Sequence, residues 1–131
     1  MKVKIKKGLA SGRVDAPPSK SMAHRYLIGA ALSGEKCFLS GVDYSEDILA
    51  SIDCLKALGA QIIIENDMVT VDPRGFMKAA APVLNCRESG STLRFLVPIG
   101  LLCGKNVAFT GAESLFRRPL GAYGLLRLHL P

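Results

Sequence analysis

The chain has 131 residues, 49% of them apolar, with 17 Lys and Arg against 11 Asp and Glu for a formal net charge of +6. That balance specifies one domain of ordinary size with a packed core and excludes a disordered chain. The longest apolar run, Phe95 to Cys103, contains Pro98 and falls short of the roughly 20 residues of a membrane span.

The predicted elements alternate between helix and strand. Val3 and Ile5 alternate with Lys2, Lys4 and Lys6, which reads as a half-exposed strand. Residues 8–19, rich in glycine, proline and serine, read as a linker. A helix is predicted over 20–32, ending before Gly34, and a strand over 36–40. The next helix, 46–58, carries Ile48, Ile52 and Leu55 on one face and stops at Gly59. Residues 61–65 and 68–72 form a hairpin around Asn66-Asp67. A helix over about 91–103 is expected to kink at Pro98. A strand over 105–110 and a helical segment over 113–128 complete the pass, an α/β (α+β) chain.

Cys37, Cys54, Cys86 and Cys103 form no C-x-x-C pair and no histidines cluster, so no metal site is expected. Cys37, Cys54 and Cys103 sit in apolar elements and read as reduced core thiols. Met1-Lys2-Val3-Lys4 is a basic start without a following apolar stretch, so no signal peptide is expected. A soluble, cytoplasmic protein is the expectation. The positive charge suits acidic partners, but finger spacings, a basic helix and an aromatic-interleaved basic strand are all missing. Small anionic metabolites account for the cations better than nucleic acid.

Two segments carry the chemistry. In Pro17-Pro18-Ser19-Lys20-Ser21-Met22-Ala23-His24-Arg25, two prolines hold the backbone extended just before a helix. Lys20 and Ser21 stand at the helix start, and Arg25 lies on the same face as Ser21. Unpaired N–H groups and the positive end of the dipole already favour an anion there. Taken alone, Lys-Ser-x-x-x-Arg fits an ordinary capped helix with solvated cations equally well. In Glu88-Ser89-Gly90-Ser91-Thr92-Leu93-Arg94, Gly90 permits close approach, Ser91 or Thr92 is suited to capping, and Arg94 faces with Ser91. Two such helix starts suggest a ligand with more than one negative group. They also belong to an internal repeat. Gly34 and Gly104, Leu32 and Leu102, Ser40 and Thr110, and Gly41 and Gly111 are pairs 70 residues apart.

The motifs Pro-Ser-Lys-Ser-x-x-x-Arg (18–25), Glu-Ser-Gly-Ser-Thr-Leu-Arg (88–94) and Leu-Phe-Arg-Arg-Pro-Leu-Gly (115–121) occur in this order and spacing. In them the chain resembles the N-terminal part of the EPSP synthase (3-phosphoshikimate 1-carboxyvinyltransferase) family, over essentially residues 1–121. The resemblance implies a partial enolpyruvyl-transferase fold built from repeated βαβαββ units. Residues 1–19 would be an N-terminal strand and interdomain linker, the strand belonging to another domain. Residues 20–121 would form the partial domain, and 122–131 an atypical tail. It further implies transfer of the enolpyruvyl group of phosphoenolpyruvate to the 5-hydroxyl of shikimate 3-phosphate. Lys20, Ser21 and Arg25 would bind shikimate 3-phosphate, and Lys20, Gly90 and Arg118 phosphoenolpyruvate. No catalytic acid or base is assigned within the chain, and no cofactor or metal is required.

The family's main acid–base residues and its phosphate-binding serines would lie outside these residues, so the chain is expected to be inactive alone. A complementing second half or self-association would supply its macromolecular partner; membrane and nucleic acid are not expected. A related enolpyruvyl transferase acting on UDP-N-acetylglucosamine and a non-catalytic anion-binding module are the alternatives. Asp47 reads either as a substrate-orienting group or as an acidic first-turn residue. Arg94 reads as a ligand contact or as an ion-pair partner of Glu88 or Asp47. His24 has no clear role. Arg87 stands where the family pattern leads one to expect glycine, and a cation there is expected to distort the Gly90 loop or add charge near the ligand. Residues 122–131 fit no family segment, as a truncated or frame-shifted reading frame would produce.

Overall fold

The computed structural model describes residues 2–124. Helix α1 (Lys20–Leu32) leads to strand β1 (Cys37–Ser40), helix α2 (Glu46–Ala57) and the strands β2 (Gln61–Glu65) and β3 (Met68–Asp72). Strand β4 (Val83–Asn85), helix α3 (Gly90–Leu102), strand β5 (Ala108–Thr110) and two short helices, α4 (Glu113–Phe116) and α5 (Gly121–Gly124), follow. The strands form two sheets. One is antiparallel in the order β1-β3-β2, and the other is the parallel pair β4-β5.

The repeat is visible in local structure. Helices α1 and α3 are each 13 residues long and are capped by Ser19 and Ser89, whose hydroxyls accept from Met22 N and Thr92 N. The capping group is therefore the serine before each helix, not Ser91 or Thr92, because the side chain must lie in extended backbone to reach N3. Gly34 and Gly104 then take positive φ of 79° and 62° and turn the chain into β1 and β5. The copies differ in their sheets: β1 pairs antiparallel with β3, whereas β5 pairs in parallel with β4.

The inner face of the larger sheet presents Ile62, Val69 and Val71 to α1 and α2, where Leu27, Ile48, Ile52 and Leu55 are buried. Leu84, Leu96 and Leu115 extend this core toward α3. Burying each such side chain contributes about 1.5–3 kcal/mol. Asn66 and Asp67 both have positive φ, the conformation a two-residue hairpin turn requires. At the end of α2, Gly59 has φ +105°, and a β-carbon on it would stand 2.1 Å from the Gly75 carbonyl oxygen. Only glycine allows that approach.

Three sequence expectations change. Residues 2–6 form no strand; Val3 and Ile5 are exposed in a stretch without regular structure that pairs with neither sheet. The helix expected over 113–128 is broken into α4 and α5 at Arg117–Leu120, since Pro119 lacks an N–H and biases Arg118 away from helical backbone. Its last residues, like most of the 122–131 tail, lie outside the described residues. Strand β4 has no counterpart in the sequence reading, three residues being too few to show a period.

Candidate functional site

The N-terminal turns of α1, α2 and α3 lie side by side. Lys20 Nζ, on the first residue of α1, is 3.9 Å from Asp47 Oδ2 in the first turn of α2. The Asp47 carbonyl accepts from Thr92 Oγ1, in the first turn of α3, at 3.2 Å. The three starts differ in charge. Glu46 and Asp47 neutralise the start of α2, whereas the first turns of α1 and α3 hold no acidic residue. These two starts keep their positive end for an external anion.

At the start of α1, Arg25 donates from Nη1 to the Ser21 carbonyl at 2.7 Å and also to Ser21 Oγ. Its guanidinium lies 5.1 Å from the centroid of the Phe95 ring on α3. Such a cation–π contact is worth about 0.5–1 kcal/mol at an exposed site and holds the fork in one place. Arg25 and Phe95 are 70 residues apart, the offset of the repeat, so the helices meet at equivalent positions. The sequence reading missed Phe95, although the repeat offset was a signal that could have found it.

At the start of α3, a β-carbon on Gly90 would stand 2.6 Å from Arg118 Nη1 and 3.1 Å from Arg94 Nη1. Two guanidinium groups thus converge on a helix N-terminus, at a residue whose missing side chain leaves them room. Among the described residues neither Arg94 nor Arg118 has a carboxylate partner, so the ion pair of Arg94 with Glu88 or Asp47 is not formed. Asp47 instead faces Lys20. The structure therefore brings Gly90 and Arg118 together, adds Arg94 to them, and keeps Lys20, Ser21 and Arg25 as a second group joined to the first through α2 and Phe95.

Arg87 corrects an expectation. Its φ of 51° explains why glycine was expected there. Its guanidinium, however, turns away from Gly90 onto α2, bonding Glu46 and, from Nη2 at 2.7 Å, Asp53. The charge is neutralised on α2 rather than added to the anion site. The loop is held as well, with Ala112 N donating to the Arg87 carbonyl at 2.7 Å.

Two cavities flank these groups. One of about 300 Å³ is lined mainly by apolar residues, including Met22, Tyr26, Phe38 and Val42; another of about 210 Å³ is lined by Glu46, Asp47, Arg87 and Glu88. Neither of these two is lined by Arg118 or Gly90, and the side chains of Arg94 and Arg118 are exposed. Among the described residues no three His, Cys, Asp or Glu side chains are grouped to hold a metal, and no helix is long and apolar enough to cross a membrane. The four cysteines are free thiols. Cys54 is a buried one whose pKa is pushed up by hydrogen bonding with Cys86 and by burial.

The sequence profile of the EPSP synthase (3-phosphoshikimate 1-carboxyvinyltransferase) family matches residues 5–123. The chain belongs to that family. A 3-phosphoshikimate 1-carboxyvinyltransferase of Clostridium perfringens is 46% identical over 123 residues, 93% of this chain and 29% of the relative. One from Clostridium kluyveri is 42% identical over 112 residues, covering 86% of this chain and 26% of that protein. The solved EPSP synthase of Acinetobacter baumannii superposes with a TM-score of 0.73 at 29% identity, covering 89% of this chain and 28% of that one. The fold is therefore a partial enolpyruvyl-transferase fold of mixed helices and strands. This chain spans less than a third of the length of these family members.

Proposed function

We propose that the chain forms one wall of a site that transfers the enolpyruvyl group of phosphoenolpyruvate to the 5-hydroxyl of shikimate 3-phosphate. Lys20, Ser21 and Arg25 bind shikimate 3-phosphate in this reading. Lys20, Gly90 and Arg118 bind phosphoenolpyruvate, and Arg94 joins them. The observation that carries it is the convergence of Arg118 and Arg94 on Gly90 at an acid-free helix start. A guanidinium fork suits carboxylate or phosphate, and a helix N-terminus adds N–H donors.

The reaction adds the hydroxyl oxygen to C2 of phosphoenolpyruvate, the hydroxyl giving its proton to a base while C3 takes one from an acid. Phosphate then leaves C2 of the tetrahedral intermediate as C3 gives up a proton, which regenerates the double bond. It needs a closed cleft with a general acid and base, which this wall does not offer. Those groups come from the portion of the family enzyme that these residues do not span, either as a complementing partner or in a longer chain. Self-association is the other partner in this reading. No organic or metal cofactor takes part, residues 1–19 act as an interdomain linker whose first part becomes a strand only against the domain that these residues do not span, and the setting is the cytoplasm.

Titrating the isotopically labelled chain by NMR tests this reading. Shikimate 3-phosphate is expected to shift residues 20–25 and phosphoenolpyruvate to shift Gly90 and Arg118, both effects weakening with salt. Shifts confined to residues 2–6, or unaffected by Arg25→Ala, would overturn it. In a phosphate-release assay the 131-residue chain is expected to show no turnover, because one wall cannot position both reactants. Turnover abolished by Lys20→Ala would refute that part.

A further inference from the structure

Four buried polar side chains lie behind the anion-binding surface with no part in the reading above. His24 on α1, Ser51 on α2, and Ser89 and Thr92 at the start of α3 are 2%, 0%, 3% and 0% exposed. His24 Nδ1 and Ser51 Oγ are 2.7 Å apart, and Ser51 Oγ and Thr92 Oγ1 are 2.8 Å apart. Thr92 Oγ1 bonds Ser89 Oγ at 2.8 Å and the Asp47 carbonyl at 3.2 Å. The chain of bonds thus runs from the helix carrying Lys20, Ser21 and Arg25, through α2, to the cap of the helix that begins with Gly90.

Counting protons gives this chain a direction. The Thr92 hydroxyl has one proton, and the Asp47 carbonyl and Ser89 Oγ are its acceptors. Whichever takes it, the proton is not available to Ser51. With Thr92 donating to one of these, Ser51 donates to Thr92, which leaves its oxygen to accept from a proton on His24 Nδ1. Slippage of any of the three helices would leave one of these buried groups unpaired, a penalty that apolar packing alone does not impose.

We propose that the chain His24–Ser51–Thr92–Ser89 is a positioning device that holds the two anion-binding helix starts in mutual register, with His24 as the Nδ1–H tautomer. The proposal relies on the preceding reading only in assigning those helix starts a common task. Its test uses the ligand-free chain, so failure of the titration above and failure of this proposal are separate results.

Long-range nitrogen–proton NMR of the full chain is expected to show His24 protonated at Nδ1; protonation at Nε2 alone would overturn the proposal. Thr92→Val keeps the volume and removes the hydroxyl. It is expected to shift the His24 Nδ1 resonance and to speed amide exchange of both Ala23 and Leu93 about tenfold. Thr92→Ser should restore both. Ile62→Val, which trims the core away from this chain, should leave the His24 resonance in place. Acceleration of Leu93 with Ala23 and His24 unchanged would overturn the coupling. Should Thr92→Val fail to fold, Ser51→Ala and the wild-type tautomer decide the matter by the same signals.

Discussion

Gly90 is the residue where, on the proposed function, one methyl group would separate binding from folding. A β-carbon there meets only the ends of two flexible side chains, Arg118 Nη1 and Arg94 Nη1. Alanine is also the better helix former, by at most about 1 kcal/mol at this first helical position. We therefore expect Gly90→Ala to unfold no earlier than the wild type in urea while displacing Arg118. Loss of one charge-assisted bond, about 1.5–3 kcal/mol, would weaken phosphoenolpyruvate binding by about tenfold or more, measured by titration. Arg87 offers the complementary case. Its left-handed backbone costs about 1 kcal/mol, and its two exposed ion pairs return a similar amount. Arg87→Ala keeps the strain and loses the pairs, whereas Arg87→Gly loses both. The urea midpoint of the alanine variant should consequently lie below that of the glycine variant.

At the scale of elements, the packing of α1, α2 and α3 sets a pH dependence. Burial lowers the pKa of His24 below the usual 6.5; Asp47 from α2 works against this, and Arg25 and Lys20 on its own helix add to it. Phe95 on α3 presents only a tilted ring, 6.1 Å away between centroids. The unfolded chain therefore binds a proton near 6.5 that the folded chain refuses. Stability is highest above that value and falls as the pH drops below it. Urea midpoints measured at stepped pH should show this decline, and His24→Gln should flatten it. Asp72 acts in a separate window. Bonds from the Arg74 side chain and backbone hold its carboxyl at about 2, so its contribution is complete above the usual 3.8 and disappears as the pH falls toward about 2.

At the scale of the whole molecule, one sheet face is uncovered among the described residues. Phe38 and Ile63 flank Thr70 in register across β1, β3 and β2, and are 65% and 54% exposed. Apolar groups grouped on an open sheet face favour association. We expect sedimentation velocity to show association rising with concentration, and Phe38→Ser with Ile63→Thr to reduce it. A monomer at high concentration would contradict this expectation.

Much of the architecture was legible along the chain because its signals are local. Gly34 and Gly59 end their helices, Asn66-Asp67 turns the hairpin, and the 70-residue offset exposes the repeat, all through backbone preferences that need no distant partner. The motifs likewise singled out Lys20, Ser21, Arg25, Gly90 and Arg118 as candidates. What remained depends on contacts between residues far apart in sequence. Residues 2–6 have the alternation of a strand, yet alternation alone does not pair them, and they join neither sheet. Arg87 gave no sign in the sequence that its charge would be neutralised by Glu46 and Asp53. Arg94 turned from an ion-pair candidate into a neighbour of Arg118 because Pro119 broke the last helix and brought that arginine back over Gly90. His24 had no readable role until Ser51 and Thr92, 27 and 68 residues further along the chain, were packed against it. Local sequence determined which groups stand at each helix start; only the packing of the three helices decided which of them face one another.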